Sequence, residues 1–345
     1  MNDSPSSLVL VTGAGSYIGL HCVLQLLEQG YRVRGTLRSL DRQAHLREIL
    51  ERHVDANDRL EFCEADLLSG AGWEQAVQGC SCVLHVASPF PVAAPKDENE
   101  LILPAREGTL RVLRAAVAAG VRRVVLTSSI AAVNAGHNSN RRTYSEKDWS
   151  NVEGDIDAYS KSKALAEKAA WDFITGLPAG QKMELVAINP SLVMGPVLDE
   201  KYRGTSGILV RGLLGRKYPG CVDISFSMVD VRDVASAHLK AMQIPEAAGQ
   251  RFCCVAGELW MQEIAQILDR HYSGRGYPVR THKLPNAALH LMALFDPGAR
   301  ATKRDLGRIN HADTGKIRQV LGWQPRPLEE SLVDMAESMI ALKMV

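Results

Sequence analysis

Tyr159 and Lys163 stand four residues apart at the start of a helical pattern that runs on through Ala164, Leu165, Ala170 and Phe173, so a helix would carry both on one face. A phenol with an ordinary pKa of about 10 is a poor acid–base group near neutral pH, and an ammonium beside it favours the phenolate. Such a pair can give up and recover a proton. The spacing is common by chance and gains meaning from a third group. Val124-Val125-Leu126-Thr127-Ser128-Ser129 reads as a buried strand ending in hydroxyls, and ligands of open parallel sheets bind beyond the carboxyl ends of the strands. Ser129 and Tyr159 can then converge on one substrate oxygen. One of Ser128 and Ser129 is expected to serve only turn or capping hydrogen bonds.

The partner of that proton transfer is indicated near the N-terminus. Val11-Thr12-Gly13-Ala14-Gly15-Ser16-Tyr17-Ile18-Gly19 follows an apolar run and opens an amphipathic pattern, with Ile18, Cys22 and Leu26 at four-residue spacing. Gly13 permits a tight turn, Gly15 lets backbone approach a pyrophosphate, and Gly19 lets the helix sit close to the strand. The second strand ends Gly35-Thr36-Leu37-Arg38-Ser39, without the Asp or Glu that accepts from the ribose hydroxyls of NAD. Arg38 is placed to pair with a 2′-phosphate instead, so the expected cofactor is NADPH/NADP+. Arg34 and Arg42 could share that phosphate, and a solvated surface arginine is the competing reading. Asp66, followed by Leu67 after the third strand, could accept from the adenine amino group or simply cap a helix.

These residues need a scaffold. Strand-like runs at 8–12, 32–38, 60–65, 82–87, 121–128 and 184–189 alternate with helical patterns, the sign of a parallel sheet covered on both faces. The expected fold is α/β, a doubly wound parallel sheet of Rossmann type with a smaller C-terminal substrate-binding lobe. Residues 1–190 would form the cofactor-binding domain, with 222–240 returning to it, and 191–345 the smaller lobe. The polar segment 134–157 lies between two catalytic candidates and reads as a lid.

Composition narrows the class of partner. Forty Lys and Arg against 39 Asp and Glu leave a net charge of +1, which gives no electrostatic reason to expect nucleic acid or an anionic membrane. The short polar N-terminus does not read as a signal peptide, and no apolar stretch approaches the roughly 20 residues a membrane helix needs. Seven cysteines without zinc spacing point to reduced thiols, no metal and a cytoplasmic location. The partner expected is a small molecule, and the chain a monomer or homodimer.

The chain resembles the extended short-chain dehydrogenase/reductases, in the branch of dihydroflavonol reductase, cinnamoyl-CoA reductase and microbial carbonyl reductases. The resemblance runs nearly its whole length. It is carried by the Val11 to Gly19 turn, Val33 to Arg38, Val86-Ala87-Ser88-Pro89, Leu126 to Ser129, Tyr159 to Lys163, Asn189-Pro190-Ser191 with Gly195-Pro196, Asp230 to Ala235, and Leu321-Gly322-Trp323. One departure is the turn, where Ser16 stands at the family's middle glycine.

By this resemblance Tyr159 would donate a proton to the substrate oxygen, Lys163 would hold the ribose hydroxyls and lower the pKa of Tyr159, and Ser129 would polarise the carbonyl. Val86, Ala87 and Ser88 would line the cofactor, and Pro190 would pack near its nicotinamide. The implied activity is reversible reduction of an aldehyde or ketone. A sugar-nucleotide epimerase or dehydratase is the alternative, yet Ile130 and Ala131 stand where the dehydratases carry Asp and Glu. A non-catalytic NADPH-binding regulator would generally lack the Tyr and Lys. Asn134, by likeness to the plant flavonoid enzymes, and Phe90, Met194, Tyr202 and Phe226, by position, are the expected pocket residues.

Overall fold

The computed structural model describes residues 7–89, 97–137, 141–287, 289, 293–294 and 303–345. Its centre is a parallel sheet of β1 (Leu8–Thr12), β2 (Arg32–Leu37), β3 (Leu60–Glu64), β4 (Cys82–His85), β5 (Arg123–Thr127), β7 (Glu184–Pro190) and β10 (Arg251–Cys254). The strand order is β10-β7-β5-β4-β1-β2-β3. Strands buried on both faces should be apolar throughout, and β5 is buried at every position.

Side-chain alternation divides the core between the two faces. Val9, Val11, Leu84 and Val125 point to the side covered by α1 (Tyr17–Glu28), α2 (Gln43–Glu51) and α7 (Val231–Gln243). Leu10, Val83, Val124 and Leu126 point to the other, against α3 (Trp73–Val77), α4 (Asn99–Ala118) and α5 (Ala158–Thr175). This is a doubly wound, Rossmann-type α/β fold. The order reverses at β1, which lies between β2 and β4, and a crevice opens there beyond the strand ends.

A second layer sits over that end of the sheet. Strands β8 (Leu192–Met194), β9 (Ser225–Asp230) and β11 (Gly257–Trp260) form a small mixed sheet. It shares an apolar core with α6 (Thr205–Leu214), α8 (Met261–Tyr272) and α10 (Leu328–Ala341). Trp323, just after α9 (Gly315–Leu321), is buried in the core of the main sheet instead and donates to Asp233 O at 2.9 Å.

The six expected strands are present, each end within two residues of its predicted place. The seventh strand, β10, was not expected. It returns after a long excursion and is a short run, Arg251-Phe252-Cys253-Cys254, with a charge at its start and no β-branched residue. The segment 134–157 also differs from a free lid. It holds β6 (Arg141–Tyr144), which pairs with β12 (Ile309–Ala312). Its flank is tied down by Ser150, whose Oγ accepts from Ala135 N at 2.8 Å and donates to Ala131 O at 2.7 Å.

Candidate active site

The glycine turn is built by close approach. Gly13 has a φ of +64°, and a Cβ there would lie 3.0 Å from Ala87 Cα. At Gly19 a Cβ would lie 2.2 Å from Gly13 O, so any side chain would push α1 off the strand. Ser16, at the family's middle glycine, caps α1 by accepting from Gly19 N at 3.2 Å. Two threonines fix the turn to its neighbours: Gly13 N donates to Thr36 Oγ1 near the end of β2, and Ala87 N, past β4, to Thr12 Oγ1, both at 3.0 Å. Sequence reasoning passed over both threonines, whose only signal was a hydroxyl at or near a strand end.

A cavity of about 440 Å³ opens on this turn. Gly13, Gly15 and Ser16 form one wall, Val86, Ala87 and Ser88 a second, and Arg38, Asp66 and Leu67 the outer end. The three arginines separate clearly. Arg34 donates to Glu61 Oε1 at 2.7 Å and to the carbonyls of Ala76 and Gln78, which removes it from the cavity. Arg42 lines the cavity but is ion-paired with Asp199. Arg38 is exposed and has no hydrogen-bond or ion-pair partner among the described residues. One Asp66 carboxylate oxygen accepts from Leu68 N at 2.9 Å, a turn role beside its place on the cavity wall.

Walls that a Cβ would fill, helix-start amide groups and an unpaired guanidinium together suit a phosphorylated dinucleotide. Gly13, Gly15 and Ser16 would hold its pyrophosphate, and Arg38 a terminal phosphate.

Ser16, Val86 and Ser88 also line a second cavity, of about 560 Å³, so the two share a wall. Ser129, Tyr159 and Lys163 meet here, with Tyr17, Ile18 and Pro190 on the surrounding walls. Asp157 sets the catalytic helix by capping α5, accepting from Ser160 N at 2.9 Å and Ser160 Oγ at 2.7 Å. That cap places Tyr159 in the first turn and Lys163 one turn on. Lys163 Nζ donates to Ser88 Oγ at 3.0 Å and lies 5.8 Å from the centre of the Tyr159 ring.

The electrostatics of the three residues differ from the sequence expectation. Burial brings Lys163 down to about 8, against the opposing charge of Glu167. Burial also pushes the Tyr159 phenol up, and the group that counters it is Ser129 through a hydrogen bond. Lys163 was expected to lower Tyr159, but its ammonium is turned to Ser88. Of the two serines, Ser128 donates to Glu167 at 2.6 Å, while Ser129 engages Tyr159.

The chain matches the 3-beta hydroxysteroid dehydrogenase/isomerase family over residues 10–259. It belongs to the extended short-chain dehydrogenase/reductases. Cinnamoyl-CoA reductase 1 of Petunia hybrida is 37% identical over 290 residues, covering 81% of each chain. The NADPH-dependent methylglyoxal reductase GRE2 of Saccharomyces cerevisiae is 32% identical over 350 residues, covering 96% of this chain and 98% of its own. Among solved structures, yeast methylglyoxal/isovaleraldehyde reductase Gre2 complexed with NADPH superposes with a TM-score of 0.81 at 30% identity, covering 98% of this chain and 99% of its own.

Within this reductase fold only part of the expected substrate pocket assembles. Tyr202 lines the second cavity, its ring centre 4.5 Å from that of Tyr17 and its hydroxyl 2.7 Å from Ser206 Oγ. Met194 is fully buried in the core of the smaller lobe and Phe226 packs against that core beside Leu259, so neither reaches the cavity. Asn134 is also away from its lining, in the segment anchored through Ser150. Phe90 lies outside the described residues. In their place the cavity takes Ser191, Leu192 and Val193 after Pro190, and Thr205 and Ser206 at the start of α6. Ser191 adjoined a predicted residue; Thr205 and Ser206 carried no signal.

Proposed function

We propose that this chain is an NADPH-dependent reductase that converts an aldehyde or ketone reversibly to an alcohol. The observation that carries this reading is the meeting of Ser129, Tyr159 and Lys163 in a cavity that Ser16, Tyr17 and Ile18 of the glycine turn also line. NADPH, when bound, supplies the hydride. Tyr159, held by Ser129, donates the proton to the substrate oxygen, and Ser129 orients that oxygen. Lys163, now engaged with Ser88, is in reach of a ribose bound along the same wall and would hold its hydroxyls. The lobe built after residue 190 closes the substrate side through Tyr202, Thr205 and Ser206.

Two observations argue against the sugar-nucleotide alternative. Ile130 and Ala131 line the cavity directly after Ser129, and neither can transfer a proton. Lys163 is the one side chain of formal charge on the described lining, which suits a neutral carbonyl substrate better than a nucleotide diphosphate. The test is NADPH absorbance during incubation with methylglyoxal, aromatic aldehydes, diketones and hydroxycinnamoyl-CoA thioesters, and chromatography of sugar nucleotides for epimerised or dehydrated product, because those reactions are redox-neutral. NADPH oxidation with the carbonyl compounds and no altered sugar nucleotide is the expected result. Turnover of sugar nucleotides alone would overturn the reading.

A further inference from the structure

We propose that Glu167, a buried carboxylate one helical turn beyond Lys163, is a positioning residue that fixes the Ser128–Ser129 strand end and keeps a negative charge beneath the lysine. This rests on the reductase reading given above and extends it to a residue that touches neither substrate nor cofactor.

The geometry begins with spacing. Lys163 and Glu167 are four apart on α5, so they share a face, and the Glu167 side chain is fully buried. A buried charge is tolerated only when it is paired and hydrogen-bonded. Oε1 accepts from Arg251 Nε at 2.5 Å and from Trp171 Nε1 at 3.2 Å. Oε2 accepts from Ser128 Oγ at 2.6 Å, Asn189 Nδ2 at 2.7 Å and Arg251 Nη2 at 3.3 Å. Every one of these partners donates to it, so both carboxyl oxygens are filled as acceptors.

Each donor ties Glu167 to a different element of the site. Ser128 brings in the end of β5, one residue before Ser129. Asn189, on β7, uses the same Nδ2 to donate to Ser129 O at 3.1 Å, holding that residue's backbone as well. Arg251, on β10, also donates to the carbonyls of Glu146 and Asp148 at 2.9 Å and stacks 3.6 Å from the Trp149 ring centre. One carboxylate thus joins the catalytic helix, the strand end that carries Ser129 and the anchored segment outside it.

Around Lys163 the titratable groups are Tyr159 on its own helix, His85 at the end of β4 and Glu167 below. His85 is held neutral by burial, down to about 3. Arg251 stands behind Glu167, with Glu146 and Lys316 on its far side and Lys168 over Trp149. Glu167 is therefore the anion that opposes the desolvation of Lys163.

The experiment compares wild type with Glu167→Gln and Arg251→Gln, reading two midpoints: the alkaline limb of kcat/KM and the pH at which NADPH affinity falls, the latter by quenching of protein fluorescence. Glu167→Gln removes the charge that favours the ammonium, so both midpoints should move down by about one pH unit. Arg251→Gln removes a nearby cation, while Ser128, Asn189 and Trp171 go on donating to the carboxylate and Lys163 remains its counter-charge, so both should move up. Opposite shifts are expected. Slower turnover in both variants with neither midpoint moved would reduce Glu167 to a packing element and overturn the proposal. If Glu167→Gln fails to fold by circular dichroism, Arg251→Gln decides alone, and a midpoint that stays or falls overturns it. A Tyr159→Phe control separates the two readings: full turnover there sinks the reductase assignment, while the NADPH-binding midpoint still reports on Glu167.

Discussion

Lys163 Nζ donates to Ser88 Oγ at 3.0 Å, joining the catalytic helix to the wall of the cofactor cavity. The lysine therefore belongs to both halves of the site, whereas at Tyr159 burial raises the phenol and the hydrogen bond with Ser129 opposes it. Tyr159→Phe removes the proton donor and leaves the cavity wall unchanged. Turnover should drop by two or more decades, since general-acid assistance is worth about 10² to 10⁴, with NADPH binding nearly intact. Stopped-flow turnover alongside equilibrium binding checks this, and a loss below tenfold would remove Tyr159 from its role.

Lys163→Ala should weaken NADPH binding and slow turnover with it, because the ammonium on the cofactor wall would hold the ribose and so place the nicotinamide against the substrate. The same link predicts a pH dependence. Lys163 is protonated below about 8, so NADPH affinity of the wild type should hold below that pH and decline as pH rises through it. Isothermal titration across pH 6.5 to 9.5 gives the profile. An affinity unchanged by Lys163→Ala contradicts its place on the cofactor.

Three buried histidines set the acid limit of the fold. Burial lowers His21 to about 4, His85 to about 3 and His238 to about 4. His238 bridges Val234 O and Thr127 Oγ1, both at 2.7 Å, and His85 meets Thr12 Oγ1 at 2.8 Å. In the unfolded chain each takes up a proton near pH 6.5, which the folded chain does not until pH 3 to 4. Stability is then full above about 6.5 and falls as pH drops toward 4, by roughly 1.4 kcal/mol per unit for each histidine. A Tm that stays level from pH 7 to pH 5 would contradict their burial as neutral groups.

The sequence carried the site wherever local pattern and chemistry coincide. The glycine turn announces itself because backbone packing forbids a side chain at Gly19, and the Tyr159–Lys163 spacing because a helix converts four residues into one face. What stayed hidden depends on distant chain segments. Arg251 completes the Glu167 network from 84 residues away, and Asp199 engages Arg42 from 157 residues away. Met194 and Phe226 were misplaced for the same reason: an apolar residue beside a cleft and one beneath it look alike until the lobe is packed.

Cofactor choice turns on Arg38. Arg34 is committed to Glu61 and Arg42 to Asp199, so Arg38 is the unpaired guanidinium on the described cavity lining. A 2′-phosphate there would accept two parallel hydrogen bonds, and NADH offers no such partner. A hydrogen bond to a charged group contributes about 1.5 to 3 kcal/mol, and about 1.4 kcal/mol is one decade, so Arg38 should favour NADPH by roughly one to two decades. Wild type should prefer NADPH by at least tenfold in kcat/KM. Arg38→Ala should weaken NADPH and leave NADH little changed, and Arg38→Asp should go further by repelling the phosphate. Releasing Arg42 with Asp199→Asn should partly restore NADPH use to Arg38→Ala, because the freed guanidinium lines the same cavity. Steady-state titrations of both cofactors at fixed ionic strength decide it. An equal loss for NADH and NADPH in Arg38→Ala would show that Arg38 is only a surface charge.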